Sequence, residues 1–347
     1  MLSLLELSGS PFQIGQTLGK FGAQAAHSYL ISSSSWNSVM AWRGSDAARA
    51  MQALVEQHFP LIHQELLGLA AGLELPPEDV FLWNCRGDVW SMAPDGCTTV
   101  QLPVAGGSRI THNEDGDPGF AGYCGIAQAA PDKGPRFVSF VYPASIPGHT
   151  FAVNEHGLAM TVNNLRSRQV TVGVPRMVLT RALLNQSELP QAAELLRNTQ
   201  RAGGFHLSVA QRASPDLLSI EFNSQGVSSR SIQTPALHAN HIVHEAMQAF
   251  PQVVTDSSLH RQQRGDALLR DAESASPGNP ADIDPLRILA DQENKQFPIY
   301  RAAPDDSDAE NTMATADMRI GPKQVDWEVY ERPGQSSRFT FIDTQLV

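Results

Sequence analysis

Asp95-Gly96-Cys97-Thr98-Thr99-Val100 is the stretch on which the reading of this chain turns, and His112-Asn113-Glu114-Asp115-Gly116 follows it. A cysteine stands behind a glycine and leads a short run of β-favouring residues. Cysteine is a strong nucleophile near neutral pH once a base takes its proton. If the chain cuts itself between Gly96 and Cys97, that cysteine becomes a chain terminus. Its own α-amine, titrating at about 8, can then serve as the base. The cut is chemically simple: the thiol attacks the preceding carbonyl, the acyl group shifts from nitrogen to sulfur, and water releases the thioester. Glycine before the cysteine offers little steric obstruction. A Gly-Cys pair taken alone more often just packs, so the surrounding chain has to carry the reading.

Composition changes at Pro94. Upstream the pattern is mainly helical. Ile14, Leu18, Phe21 and Ala25 share one face, Asp46 can cap a helix through Met51, Leu54 and Val55, and Pro60 starts another that Gly72 can stop. Pro76-Pro77-Glu78-Asp79 starts a short helix through Val80, Phe81, Leu82 and Trp83, and residues 32–44 read as a loop. Downstream, short apolar runs at 98–102, 109–111, 137–142, 150–153 and 158–162 are divided by Gly-, Asp- and Pro-rich turns, a β-sheet signature. Helix returns at 175–201. Strands follow near 207–210, 217–222 and 226–232. Polar helices then occupy 246–296 around a loop at 274–285, and last strands lie near 312–318, 324–330 and 339–342. Helices, sheet, helices and sheet in that order predict a layered α+β core.

The 347 residues can bury a large core. The net charge of −11 argues against a nucleic-acid or anionic-membrane surface. Three cysteines, Cys85, Cys97 and Cys124, make no disulfide framework and point to a reducing compartment. Neither a signal peptide nor a membrane-spanning apolar run is legible, so the expected location is cytoplasmic.

Several further stretches give this chain resemblance to a known family: Asn113-Glu114-Asp115-Gly116-Asp117, Asn154-Glu155-His156-Gly157-Leu158 continuing to Leu165, Gly173-Val174-Pro175-Arg176 with Arg181-Ala182-Leu183-Leu184, His238-Ala239-Asn240-His241, and Ile299-Tyr300-Arg301. With Asp95-Gly96-Cys97-Thr98-Thr99, and with Gly9-Ser10-Pro11 and Trp83-Asn84-Cys85-Arg86 upstream, the ordered set resembles the acyl-coenzyme A:6-aminopenicillanate acyltransferase family (peptidase family C45). These are cysteine N-terminal-nucleophile hydrolases. Choloylglycine hydrolases are resembled more weakly. The resemblance implies a four-layer αββα sandwich with a helical N-terminal segment. Residues 1–96 become a pro-segment, or α chain, and residues 97–347 the catalytic β chain, the cleaved fragments remaining together as one unit.

The resemblance also implies roles. Cys97 is nucleophile and, with Gly96, the processing site. Asp115 orients and balances the Cys97 amine. Asn240 aims its amide into the oxyanion hole. Arg301 holds charge near the nucleophile. Asn163 or Asn164 lies near the oxyanion, and which of the two side chains faces it stays open. His112 stands where the bile-salt branch has an arginine. That argues against bile-salt amides and makes His112 a candidate substrate-site residue. The implied function is a self-processing cysteine amidohydrolase cleaving a linear C–N amide through a Cys97 thioester. The alternatives are an acyltransferase moving an acyl group between coenzyme A, or another thioester, and a small amine, and a non-catalytic binding relative. A small-molecule amide or thioester is the expected partner, with no cofactor, metal, nucleic acid or membrane; a homo-oligomer is compatible with the pattern.

Other constellations are weaker. Gly15 to Lys20 fails as a phosphate loop because the glycine spacing is short and Phe21 replaces the metal-binding Ser or Thr. His238, His241 and His244 have metal-ligand spacing, but an extended strand would point 238 and 241 to opposite faces. Asp115-Gly116-Asp117 is too short for a calcium loop. Arg86-Gly87-Asp88 and Arg264-Gly265-Asp266 read as coincidence, and no Gly-x-Ser-x-Gly elbow is present.

Overall fold

The computed structural model describes residues 1–93 and 95–347, Asp95 by its backbone alone; Pro94, where the composition changes, lies outside the described residues. The chain opens on β1 (Ser3–Gly9), where the sequence suggested only a short apolar run ahead of a helix. Alternate residues Leu5 and Leu7 are buried, and the strand pairs parallel to β4, so it is an edge strand recruited from far along the chain. Six helices follow: α1 (Pro11–Ser28), α2 (Ser34–Met40), α3 (Asp46–His58), α4 (Pro60–Leu73), α5 (Pro77–Trp83) and α6 (Arg86–Val89). Helix α2 falls where a loop was expected; Ser33 caps it by accepting a bond from the Trp36 amide, and Trp36 and Val39 are buried. Helix α1 starts where Ser10 and Gln13 form a reciprocal capping box with Pro11 in the first turn.

Helices α1 and α4 meet through glycines. A Cβ on Gly15 would lie 1.9 Å from the Glu65 carbonyl oxygen, and one on Gly68 2.0 Å from that of Phe12. Gly19 and Gly72 repeat the approach one turn on, at 2.3 and 2.1 Å from Leu69 O and Gln16 O. Gly72 is therefore an interior contact glycine of α4 rather than its stop. The helix ends instead with Glu74 in the left-handed region.

Two sheets form the rest of the frame, in a mixed α/β fold. The remaining strands are β2 (Asp95–Val104), β3 (Gly107–Gly116), β4 (Gly125–Pro131), β5 (Phe137–Val141), β6 (Phe151–Asn154), β7 (Leu158–Asn164), β8 (Phe205–Gln211), β9 (Leu217–Phe222), β10 (Val227–Ser231), β11 (Ala236–His238), β12 (Asn311–Ile320), β13 (Val325–Tyr330), β14 (Phe339–Ile342) and β15 (Gln345–Leu346). The eight-stranded sheet runs β1-β4-β5-β6-β7-β8-β9-β10, and the seven-stranded sheet β11-β2-β3-β12-β13-β14-β15. Between them come α7 (Arg176–Leu183), α8 (Leu189–Asn198), α9 (Asp256–Ala275) and α10 (Pro285–Leu289).

The sheets touch through both apolar and polar side chains. Phe151 of β6 meets Trp327 of β13 edge-on, and Trp327 stacks on Phe341 of β14. Such an aromatic pair contributes about 0.5–1.5 kcal/mol beyond burial. Near β2 the contact turns polar: Gln101 donates to Ser208 Oγ at 2.8 Å, and Thr99 to Asn163 Oδ1 at 2.7 Å. The other face of β2 buries Val100 and Leu102 with Leu237, Leu269, Ile288 and Leu289, an apolar cluster shared with α9 and α10. Cys97 thus heads a strand covered on both faces. Among the described residues no helix is long and apolar enough to cross a membrane.

Candidate active site

Strand pairing decides what surrounds Cys97. In the β2–β3 ladder Cys97 lies opposite Glu114, Gly96 opposite Asp115, and Thr99 opposite His112. Directly paired residues share a face and successive residues alternate. Cys97, Thr99, His112 and Glu114 therefore point into the space between the sheets, while Gly96 and Asp115 point the other way. All of these are buried, with little or no solvent exposure.

Each polar group of Cys97 meets a partner. Its peptide N–H donates to Asn240 Oδ1 at 2.9 Å, and its carbonyl accepts from Arg261 Nη1. Its Sγ lies 3.6 Å from Glu114 Oε2. Glu114 Oε2 is 3.0 Å from His112 Nε2, and His112 Nδ1 is 2.7 Å from Thr99 Oγ1. Burial pushes the His112 imidazole down to about 3. Cys97, His112 and Glu114 each place a ligand atom within 4.8 Å of the others, so this trio could share a divalent cation.

Asn240 follows the end of β11, whose pairing sets His238 against Thr99 and so carries Asn240 toward Cys97. Besides the Cys97 amide, its Oδ1 accepts from Arg261 Nη2 at 2.7 Å, and its Nδ2 reaches the Asn164 carbonyl at 3.3 Å. The two asparagines left open in the sequence separate by alternation. Asn163 turns inward to Thr99, whereas the Asn164 side chain accepts from Arg176 and presents only its backbone carbonyl to Asn240. Asn164 Nδ2 is buried with no hydrogen-bond partner among the described residues.

On the opposite face, Asp115 accepts from Thr312 Oγ1 at 2.7 Å, and its Oδ2 lies 3.8 Å from Arg301 Nη1. Arg301 is fully buried and also ion-pairs with Glu310 and Asp306, with Asp308 at 3.8 Å. Burial by itself would lower the Arg301 pKa, but Glu310, Asp115 and Asp306 hold it above the usual guanidinium range. Asp115 receives a smaller share of that cation. Burial raises it to about 6, against the pull of Arg301 and Arg261. A Cβ on Gly96 would fall 2.0 Å from Glu310 Oε2 and 2.8 Å from Arg301 Nη1, so this position has room only for glycine. Arg166 bridges Glu310 to the Ala93 carbonyl, tying the carboxylate cluster to the approach to β2.

Sequence reasoning did not single out Arg261, Glu114 or the Asp306–Glu310 acids. Arg261 sits on α9 among Ser257, Ser258 and Gly265, and a long cation on a face of small residues was its only sequence signal. The three clustered histidines do not converge. His238 pairs with Glu221, His244 with Ser219 and Ser228, and His241 with Ser258. Strand β11 ends at His238, so departure of the chain from the sheet, rather than strand alternation, separates 238 from 241. The two Arg-Gly-Asp stretches are absorbed internally: Arg86 and Asp88 are buried, and Arg264 pairs with Asp291.

Sequence comparisons give the class of the chain. The profile described as acyl-coenzyme A:6-aminopenicillanic acid acyl-transferase matches residues 104–332, about two thirds of the chain, and the chain belongs to that family. The match contains Asp115, Asn240 and Arg301 and begins after Cys97. A particular relative is the β-alanyl-dopamine/carcinine hydrolase of Drosophila melanogaster, 24% identical over 221 residues that cover 56% of this chain and 57% of that protein. The similarity thus spans a little over half the length of each.

Proposed function

We propose that this protein is a cysteine amidohydrolase of the N-terminal-nucleophile type, made as a precursor that cuts itself between Gly96 and Cys97. The carrying observation is that the Cys97 nitrogen, carbonyl and sulfur are each held by a buried polar side chain: Asn240, Arg261 and Glu114. A cysteine that merely packs needs no such set. Helix α1 against β1 and β4, β2 against β7, and α9 and α10 against β2 support the four-layer αββα reading.

In the cleaved enzyme the Cys97 nitrogen is an amine. Asn240 Oδ1 keeps it oriented, and Asp115, on the side vacated by Gly96, balances its charge when protonated. The amine takes the thiol proton, Sγ attacks the amide carbonyl, and the oxyanion draws the Asn240 Nδ2–H away from its long bond to Asn164. Such a donor lowers the barrier by about 3 kcal/mol. The amine returns the proton to the leaving nitrogen, and water then hydrolyses the Cys97 thioester. The relative named as a hydrolase favours water as acceptor; the family's description favours an acyltransferase as the second reading. A cleft lined by Tyr29, Trp90, Asp117 and Asp308 lies beyond the end of β3. Its aromatic and acidic lining suits an amide of a small cationic or aromatic amine.

The test is capture of the intermediate. Purified protein mixed with a small-amine amide and quenched in acid should carry one acyl mass on the peptide that begins at Cys97. Turnover without any acyl-cysteine would remove this reading.

A further inference from the structure

The self-cleavage reading leaves one chemical demand unmet, and the space between the sheets holds a group suited to it. In the uncut chain the Cys97 nitrogen is a peptide N–H that donates to Asn240. The lone pair of a peptide nitrogen is delocalised into the carbonyl and does not accept a proton, so the amine that serves turnover cannot serve the first cut. We propose that the Glu114–His112 pair is the base that activates Cys97 for self-cleavage, Glu114 by touching the thiol and His112 by positioning and completing the acceptor. This inference rests on the self-cleavage reading above.

Hydrogen-bond direction supports it. Asn163 Nδ2 donates to the His238 carbonyl at 3.0 Å, which fixes its Oδ1 toward Thr99 and His206. An amide oxygen only accepts, so the Thr99 hydroxyl hydrogen points at Asn163. The Thr99 oxygen then offers its lone pair to His112 Nδ1, which must carry hydrogen. The same order continues outward. His206 Nδ1–H donates to Asn163, His206 Nε2 accepts from Ser219, Ser219 accepts from His244 Nε2, and His244 Nδ1 accepts from Ser228. Burial holds His206 well below the usual imidazole range and His244 at about 4, so both are neutral.

With Nδ1 protonated, neutral His112 faces Glu114 Oε2 with a bare Nε2 at 3.0 Å. Two acceptors at that distance attract only when a proton lies between them. The Cys97 thiol, 3.6 Å from the same Oε2, can supply it. The thiol proton moves into the Oε2···Nε2 contact and leaves a thiolate whose negative charge Arg261 faces. Sγ bonds to the Gly96 carbonyl carbon. As the Gly96–Cys97 C–N bond breaks, the held proton passes to the Cys97 nitrogen. The products are a Gly96 thioester on Sγ and a free amine on Cys97. Water then hydrolyses the thioester, giving the Gly96 carboxylate and the thiol. Among the described residues, Cys124 interacts with Glu114, His206 with His112, and Arg261 with Cys97. Burial first, and Glu114's charge second, push the Cys124 thiol far up, so it does not compete near neutrality.

The experiment follows cleavage of freshly synthesised full-length chain by intact mass from pH 6 to 9, in wild type and Glu114→Gln. Glutamine keeps the size and a hydrogen-bonding oxygen but cannot take a proton. Wild type should cleave at a rate that levels off in the neutral range. Glu114→Gln, with a thermal midpoint near that of wild type, should cleave about 100-fold more slowly. Its residual rate should rise about tenfold per pH unit as solvent generates the thiolate. Wild-type speed in Glu114→Gln overturns the proposal, and so does a slowed rate whose pH profile matches wild type, which marks a structural role. A wild-type chain that stays whole at 1–347 overturns the self-cleavage reading itself and this proposal with it. Cleaved wild type with an equally cleaved Glu114→Gln overturns the base alone.

Discussion

Asp115 shares one guanidinium with three other carboxylates, and the consequence is a measurable pH dependence. Its folded pKa, about 6, lies above the usual carboxylate value. Between about pH 4 and pH 6 the native state therefore binds more protons at this site than the unfolded chain does. Its contribution to stability is largest below that window and is lost as pH rises through 6. Asp115→Asn removes this dependence. Denaturant unfolding at pH 5 and pH 7.5 should show the variant gaining on wild type at the higher pH by on the order of 1–3 kcal/mol. An unchanged difference would mean Asp115 is already ionised at pH 5. Gly96 makes a second residue-scale case. Gly96→Ala must displace Glu310 or Arg301, so precursor should accumulate on a denaturing gel; processing at the normal rate would show that the cluster yields easily. Cys97 and the family-like positions Asp115, Asn240 and Arg301 were legible because their types and order are distinctive. Glu114 was quoted only as part of a motif, since nothing in a sequence says that residues 97 and 114 pair across a ladder. Arg261 was hidden because a helical arginine ordinarily reads as solvated.

Among the elements, the α1–α4 pair has the narrowest tolerance. Gly15, Gly19, Gly68 and Gly72 let two backbones touch, and the facing atoms are carbonyls that cannot swing away. Gly15→Ala should cost at least the ~1–3 kcal/mol typical of overpacking, read as a lower denaturant midpoint with an unchanged slope. A midpoint within error of wild type would mean the helices separate at little cost. Strands with turn residues at both ends were readable from period and punctuation. Edge strand β1 and strand β4 (Gly125–Pro131) were not: β1 reads as the start of a helical region, and β4 is Ala-rich between a Gly and a Pro, with weak β propensity. Helix α2 was missed because its serines suggested a loop, although one of them is its cap.

At the scale of the molecule, residues upstream of Cys97 are part of the fold rather than a detachable leader. Strand β1 supplies the edge of the eight-stranded sheet, and Ile14, Leu18, Leu66 and Leu69 share one apolar core with Phe140, Phe151 and Trp327. The two fragments should therefore stay together after the cut. Size-exclusion chromatography under native conditions should give one peak containing both, and separation without denaturant would contradict this. The layered α+β expectation came from the alternation of helical and strand-rich regions. The pairing of distant strands β2, β3 and β12 in one sheet is not encoded in any local pattern. The proposed function depends on Cys97 becoming a chain terminus by its own chemistry. Intact mass spectrometry of purified wild type and Cys97→Ala tests it most directly. Wild type should give two species, 1–96 and 97–347, and Cys97→Ala a single uncut chain; an uncut wild type that turns over amides, or a Cys97→Ala chain cut at the same bond, would rule self-cleavage by Cys97 out.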